Sequence, residues 1–283
     1  MKANLLFVHA LSPLHAGTGQ GVGVIDLPVA REKSTGLPYL PGSSVKGTLR
    51  DMCPTDRRDR IFGPGAEQED KYQGSIIFSD QRLLLLPVRS LAGTFAWVTS
   101  PFILTRFVRD AKNANIGGVP GFASGVESPE RCIVCETGCR LVLNDEVILE
   151  DLDLKADKSP DAQAWAAWLG AKIFQDDGEW QAILIGRFAI VHDQVMTFLL
   201  DTATEITARI KLLEDAKTVK KGGLWYEEAL PAETILSGLV VSTPLKSKEE
   251  EISEMLTSLA GKPAQFGGKA TVGRGLCRLQ IAG

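Results

Sequence analysis

Cysteine, histidine and long apolar runs are all scarce in this sequence, and each scarcity removes a class of protein. No run of roughly 18 apolar residues occurs, so no membrane-spanning helix is expected. The opening MKANLLFVHAL is interrupted too early, by His9 and then His15, to serve as a secretory leader. The five cysteines (Cys53, Cys132, Cys135, Cys139, Cys277) form no even disulfide framework, which points to a reducing cytoplasm. Nucleotide fingerprints are missing too. Gly17-Thr18-Gly19 has Val22 where a dinucleotide motif needs its third glycine, and a proline-bearing loop follows instead of a helix. Gly261-Lys262 and Gly268-Lys269 lack the earlier glycine and the following Ser or Thr of a phosphate-cradling NTPase loop. No fixed-period repeat marks a solenoid.

A basic balance is absent as well. Net charge is −4 and the pI is near 5.6, which alone argues against nucleic acid as a partner. The charge is uneven, however. Residues 1–60 carry eight Lys and Arg against five Asp and Glu, whereas residues 141–180 carry three against ten. A basic face on an acidic body permits an RNA groove. At 283 residues and 44% hydrophobic, the chain has ample core for one large domain with insertions, or for two domains.

The most informative stretch is His15–Arg50. Four glycines fall within seven residues, at Gly17, Gly19, Gly21 and Gly23, and let backbone N–H groups approach an anion. Asp26 follows in an apolar setting, then the basic segment Arg31-Glu32-Lys33. Ser43-Ser44-Val45-Lys46-Gly47-Thr48-Leu49-Arg50 predicts a helix start carrying cations, a second anion site. Residues 16–42 contain nine Gly or Pro and read as a long loop, a length that is usually functional.

Strands are expected at 4–14, 74–79, 81–88, 182–191, 205–213, 233–243 and near the C-terminus, where a loop over 266–275 feeds LCRLQIA. Helices are expected at 43–52, 101–111, 161–174 and 246–259, with 196–200 ambiguous and 65–73 a mobile loop. Lys217–Pro231 reads as a hairpin tip. The order strand, helix, two strands, helix, strand fits an α+β, ferredoxin-like core with residues about 90–230 inserted into it.

Candidate chemistry is sparse. Asp26 is either a desolvated functional carboxylate or one exposed at a loop tip. In RNA cleavage it could accept a 2′-OH proton or hold a divalent cation. His15, at the loop entrance, is a candidate acid or base, or a hydrogen-bonded structural histidine. Glu227 or Glu228 could supply a second carboxylate. Trp225 and Tyr226, beside Lys220 and Lys221, could stack on bases or pack on a neighbouring subunit. Gly267, Gly268, Lys269, Gly273 and Arg274 form a second glycine loop suited to a phosphodiester backbone, or a tight turn before an edge strand. Cys132-x2-Cys135-x3-Cys139 is one ligand short of a zinc site, and buried thiols are the simpler alternative.

These segments together resemble one family. Leu14-His15-Ala16-Gly17-Thr18-Gly19, Asp26-Leu27-Pro28-Val29-Ala30-Arg31-Glu32 and Gly36–Arg50 are similar to the N-terminal signature of the RAMP superfamily of CRISPR proteins. Ile61-Phe62-Gly63, Gly74–Asp80, Pro87–Thr99 and Gly273-Arg274-Gly275 continue it. Within that superfamily the sequence most resembles the repeated backbone subunit of the Cmr (type III-B) RNA-guided effector complex. The resemblance implies one RRM-like palm, about 1–89 and 232–283, with finger and thumb insertions over about 90–231. It implies self-association into a helical filament along a CRISPR guide RNA, with other Cmr subunits as partners. Each thumb would interrupt the guide–target duplex, and Asp26 would cut the complementary target RNA there with Mg2+ or Mn2+. His15, Glu227 and Glu228 would lie near the cut. Ser43, Ser44, Lys46 and Arg50 would touch guide phosphates, and the Gly17, Gly19 and Arg31 region would adjoin RNA. A non-catalytic RNA-binding scaffold and a guide-processing ribonuclease of the same superfamily are the rival functions.

Overall fold

Leu5-Leu6-Phe7-Val8 is too continuously apolar to leave one face of a strand in water, and all four side chains are fully buried in the first strand. The computed structural model describes every residue except 18, 20, 22, 23, 66–71, 122–124, 214, 216, 217 and 283. The expected loop glycine Gly23 and most of the expected loop 65–73 therefore lie outside the described residues. The first half runs β1 (Lys2–Ala10), β2 (Tyr39–Leu40), α1 (Gly42–Met52), α2 (Thr55–Phe62), β3 (Ile76–Phe78), β4 (Gln81–Arg89), β5 (Phe95–Thr99) and α3 (Pro101–Asn113). Next come β6 (Arg131–Cys135), β7 (Val142–Leu143), β8 (Glu146–Leu149), β9 (Leu152–Ser159), α4 (Pro160–Ile173), α5 (Gly178–Arg187), β10 (Phe188–Val191) and α6 (Asp193–Thr202). The chain ends with β11 (Glu205–Leu212), β12 (Val219–Ala229), β13 (Ile235–Ser242), α7 (Glu249–Leu259), β14 (Pro263–Gln265) and β15 (Leu276–Ala282).

Among the described residues, thirteen strands form one mixed sheet in the order β14-β15-β1-β13-β4-β5-β10-β6-β9-β8-β7, with β2 on β4 and β3 on β13. β1 is antiparallel to β13, from Lys2 opposite Ser242 to His9 opposite Ile235. It is also antiparallel to β15, from Leu5 opposite Ala282 to Ala10 opposite Cys277. Parallel pairs occur farther along, at β5–β10 and β6–β9. β11 and β12 stand apart as a two-stranded hairpin. The helices α1 and α7 close over the sheet through Val45 and Leu49, and through Ile252, Met255, Leu256 and Leu259. The result is a mixed helix-and-strand fold on one large mixed sheet. No helix among the described residues is long and apolar enough to cross a membrane.

Three local expectations need correcting. Lys217–Pro231 is not a hairpin tip: Val219–Ala229 is the long strand β12, paired with β11 from Glu205 opposite Ala229 to Leu212 opposite Val219. The run AILIGRFAIV is not one strand. Its first half belongs to α5, because Asp177 caps that helix by accepting from the Trp180 N–H at 3.1 Å, and only Phe188–Val191 is strand. A continuous apolar run does not by itself distinguish a buried helix from a strand. Nor does a serine cap α1. The helix begins one residue earlier, at Gly42, whose N–H donates to Asp80 Oδ1 at 2.8 Å. A carboxylate from the β3–β4 connection already occupies part of that positive helix end.

Charge ties the 16–42 segment to the body. Glu32 accepts from Arg106 at both oxygens, each at 2.6 Å, and from Arg82 at 3.1 Å, while Arg82 also reaches Asp110 at 3.2 Å. The Arg106 hydrogen bonds outweigh the opposing effect of burial and hold the Glu32 carboxyl at about 2. A group whose pKa is depressed on folding stabilises the protein above its unfolded value and ceases to do so as pH falls through its folded value. Glu32→Gln is expected to cost about 1–2 kcal/mol at pH 7, after allowance for solvent screening. The gap should shrink as pH drops from about 4.5 toward 2. Urea melts of both proteins across that range check it, and a gap independent of pH would contradict it.

Candidate functional site

Three chain segments converge at the base of the β11–β12 hairpin. The first is the loop after β1. Leu27 forms a parallel bridge with Glu227, its N–H donating to the Tyr226 carbonyl at 3.1 Å, and the Glu228 N–H donates to the Leu27 carbonyl at 3.0 Å. That pairing sets Asp26 at the rim, exposed, with Oδ2 accepting from the Tyr226 N–H at 2.8 Å. The second segment is β12 itself. The third is the glycine loop before β15, whose Gly268 N–H donates to the His15 carbonyl at 3.0 Å. Between them lies an open cleft of about 410 Å3, lined among the described residues by Gly21, Asp26, Leu27, Gly222, Leu224, Trp225 and Lys269. Asp26 is the one carboxylate in that lining.

The two neighbouring glutamates are both committed elsewhere. Glu227 Oε1 accepts from Trp225 Nε1 at 2.8 Å and pairs with Lys269 Nζ at 2.9 Å, while Oε2 accepts from Arg209 Nε at 3.2 Å. Burial alone would raise its pKa, but the bonds from Lys269, Trp225 and Arg209 prevail and hold it at about 2. Glu227 is therefore ionised and saturated near neutral pH, which suits a holder of cations better than a proton acceptor. Glu228 is buried, its Oε1 accepting from Arg31 Nη2 at 2.6 Å and its Oε2 from the Val29 N–H at 2.9 Å.

His15 is buried behind the glycine loops. Its Nδ1 lies 2.6 Å from the Glu228 carbonyl, which can only accept, so Nδ1 carries the hydrogen. Gly17 permits this packing, since a Cβ there would meet His15 Nε2 at 2.6 Å. Gly267 is equally constrained: its φ is +72°, and a Cβ would lie 2.3 Å from the His15 carbonyl oxygen. Gly267→Ala is expected to push the two loops apart and to cost about 1–3 kcal/mol. An unchanged melting temperature would show that the loops are not clamped here.

The remaining expected RNA contacts divide into free and engaged groups. Ser43, Ser44, Gly19, Gly268 and Gly273 are exposed, Lys46 and Trp225 are half-buried, and Tyr226 is exposed on β12. Arg50 pairs with Asp59 at 2.6 Å. Arg31 donates inward to Glu228, the Gly36 carbonyl and the Leu200 carbonyl. Arg274 fastens its loop to β11, binding Glu205 at 2.7 Å and Thr207 at 3.1 Å. Arg209, in an ordinary-looking strand that also carries Lys211, has no sequence signal for its place against Glu227.

Among the described residues no group of three or more His, Cys, Asp or Glu is placed to hold a metal ion. Cys132 and Cys135 sit on β6, where residues three apart face opposite sides of a strand. Burial pushes both thiols up to about 12. At the cleft a single carboxylate fits only a largely hydrated divalent ion that completes its shell with water and phosphate oxygens.

Residues 7–278 match the RAMP superfamily. The chain belongs to the RAMP superfamily. It is 36% identical to the CRISPR system Cmr endoribonuclease Cmr4 of Pyrococcus furiosus, across 99% of this chain and 96% of that protein. The crystal structure of oligomeric Cmr4 from the same organism superposes with a TM-score of 0.77 at 29% identity, covering 100% of this chain and 98% of that one. A chain of the type III-B Cmr-beta complex bound to cognate target RNA gives 0.75 at 20% identity, covering 99% and 97%, a likeness of fold. The span of this RAMP match includes the Asp26 loop, the hairpin and the second glycine loop.

Proposed function

We propose that this chain is the repeated backbone subunit of a type III-B, Cmr-type CRISPR effector complex. It binds guide RNA, stacks on copies of itself and on other Cmr subunits, and cleaves guide-paired target RNA at regular intervals. Similarity to the P. furiosus endoribonuclease over nearly the full length of both chains supports the assignment. Asp26 carries the chemical part of it: an exposed carboxylate, alone in the described lining of its cleft, held by one backbone N–H through Oδ2. Oδ1 makes no hydrogen bond among the described residues. It is the oxygen offered to a target 2′-OH as it attacks the adjacent phosphorus, or to a hydrated cation. When bound, Mg2+ or Mn2+ supplies charge neutralisation at the phosphate.

The succession β1, α1, β4, β13, α7, β15 lies in the sheet order β15-β1-β13-β4. That order supports a ferredoxin-like, RRM-like palm, with finger and thumb built from residues about 90–231. The β11–β12 hairpin is the thumb in this reading. Ile206, Ile210, Leu224 and Tyr226 are 51%, 54%, 53% and 40% exposed on it, apolar surface suited to wedging between base pairs. Exposed Ser43 and Ser44 and half-buried Lys46 at the start of α1 suit guide phosphates. Five unpaired cysteines suit a reducing cytoplasm. The assembled complex carrying Asp26→Ala tests the assignment: binding without cutting supports it, and undiminished periodic cutting ends it. Failure of the wild-type complex to cut a matched target with Mg2+ or Mn2+ would instead favour a scaffold.

A further inference from the structure

Lys269 occupies a backbone position that a lysine does not favour. Its φ is +68°, the left-handed region where glycine or asparagine is cheaper, and two glycines immediately precede it. Strain of this kind persists where the surrounding structure enforces it, and it clusters at functional sites. The side chain is held in a frame. Its ammonium lies 2.9 Å from Glu227 Oε1 and 6.0 Å from the centroid of the Trp225 ring. The Trp225 indole N–H binds the same Glu227 oxygen at 2.8 Å, and Arg209 holds the other oxygen at 3.2 Å.

Glu227 is shared between two cations, Arg209 and Lys269, so these three groups together carry one net positive charge. That charge lines the same cleft as Asp26, and 34% of the lysine side chain remains exposed there. A phosphodiester carries one negative charge and two non-bridging oxygens, the complement of such a corner.

We propose that Lys269 is a catalytic residue that donates a hydrogen bond to a non-bridging oxygen of the scissile phosphate, and that Glu227 and Trp225 are positioning residues that aim it. The proposal rests on the assignment of RNA cleavage to the Asp26 cleft. In the reaction the target 2′-oxygen bonds to phosphorus and the phosphorus–5′-oxygen bond breaks. The 2′-OH proton passes to Asp26, the departing 5′-oxygen takes a proton from water, and the hydroxide so formed takes the proton from Asp26, leaving a 2′,3′-cyclic phosphate and a 5′-hydroxyl. Lys269 stays protonated throughout. Its bond strengthens as negative charge builds on the non-bridging oxygens, which is the condition for lowering a barrier.

The test uses the reconstituted complex with guide and matched target in single turnover. Lys269→Met is expected to slow cutting by about 10²–10³-fold with little change in target affinity. Lys269→Arg should recover much of the loss, because charge and donors remain. Glu227→Gln should slow cutting less and leave the shape of the pH–rate profile unchanged, as a positioning residue would and a general base would not. Sulfur in place of one non-bridging oxygen should slow the wild-type complex in one diastereomer, and that penalty should shrink in Lys269→Met. If Lys269→Met does not assemble, Lys269→Arg with the same sulfur-substituted targets gives the reading, through an altered diastereomer preference. Wild-type cutting by Lys269→Met, or a sulfur penalty untouched by either substitution, overturns the proposal. If Asp26→Ala also cuts normally, the assignment of the cleft falls with it; if Asp26→Ala is inactive, only the role of Lys269 falls.

Discussion

Asp26→Ala is expected to slow target cleavage by the assembled complex about 10³-fold while leaving guide and target binding almost unchanged, within the range that loss of a positioned acid–base group produces. The size follows from the absence of a substitute. Glu227 is ionised, saturated by three donors and held at about 2, so it does not take over a proton near neutral pH. Glu228 is turned the other way, into Arg31 and the Val29 N–H. The loop itself should survive, because Asp26 is exposed and gives up one hydrogen bond to the Tyr226 N–H, worth about 1 kcal/mol or less at such a site. Asp26→Asn sharpens the comparison. An amide oxygen still accepts from Tyr226, so geometry is kept while charge and basicity are lost. Equal inactivity in both variants assigns the effect to chemistry. A near-normal rate in Asp26→Asn would show that the residue only shapes the loop. Single-turnover gels with a matched target make the measurement.

The sequence made the parts of this site legible, but not their connections. Asp26 stood out because a lone carboxylate in Val24-Ile25-Asp26-Leu27-Pro28 has no local structural reason to be there. The glycine loops stood out because only glycine permits the close approaches now seen at Gly17 and Gly267. What stayed hidden were long-range pairings with no local signature. The Leu27–Glu227 bridge joins residues 200 positions apart in the chain, and Lys269 reaches Glu227 from another loop. Charge counting also leaves partners hidden. Arg31 and Arg274 stand out in sequence as cations, and each has an acidic partner inside the chain that no local pattern announces. The central strands β1, β4 and β13 were legible because they are long and apolar. The α5–β10 boundary was not, because a buried helix and a buried strand draw on the same residues.

Arg31→Met is expected to destabilise the chain by about 3 kcal/mol, the largest stability effect foreseen for any residue near the cleft. Glu228 explains the size. Its side chain is 3% exposed, and without Arg31 its charge would be left with one backbone N–H from Val29. Removing one partner of a buried pair costs far more than the pair contributes, because the survivor has lost its water as well. Arg31 also donates to the Gly36 and Leu200 carbonyls, so three chain segments loosen together. Adding Glu228→Gln to Arg31→Met removes the stranded charge and should return roughly half of the loss, a coupling that a double-mutant cycle in urea measures directly. The damage should not stay local. Glu228 is two residues from Tyr226 on β12, and the Tyr226 N–H is what holds Asp26. Cutting by the assembled complex should therefore fall with stability in Arg31→Met and recover with it in the double variant. An arginine that served mainly as an RNA contact would behave in the opposite way: normal melting, weaker binding and a shallower dependence of that binding on salt. The two patterns do not overlap, so one melting curve and one salt titration decide between an internal tie and an RNA contact.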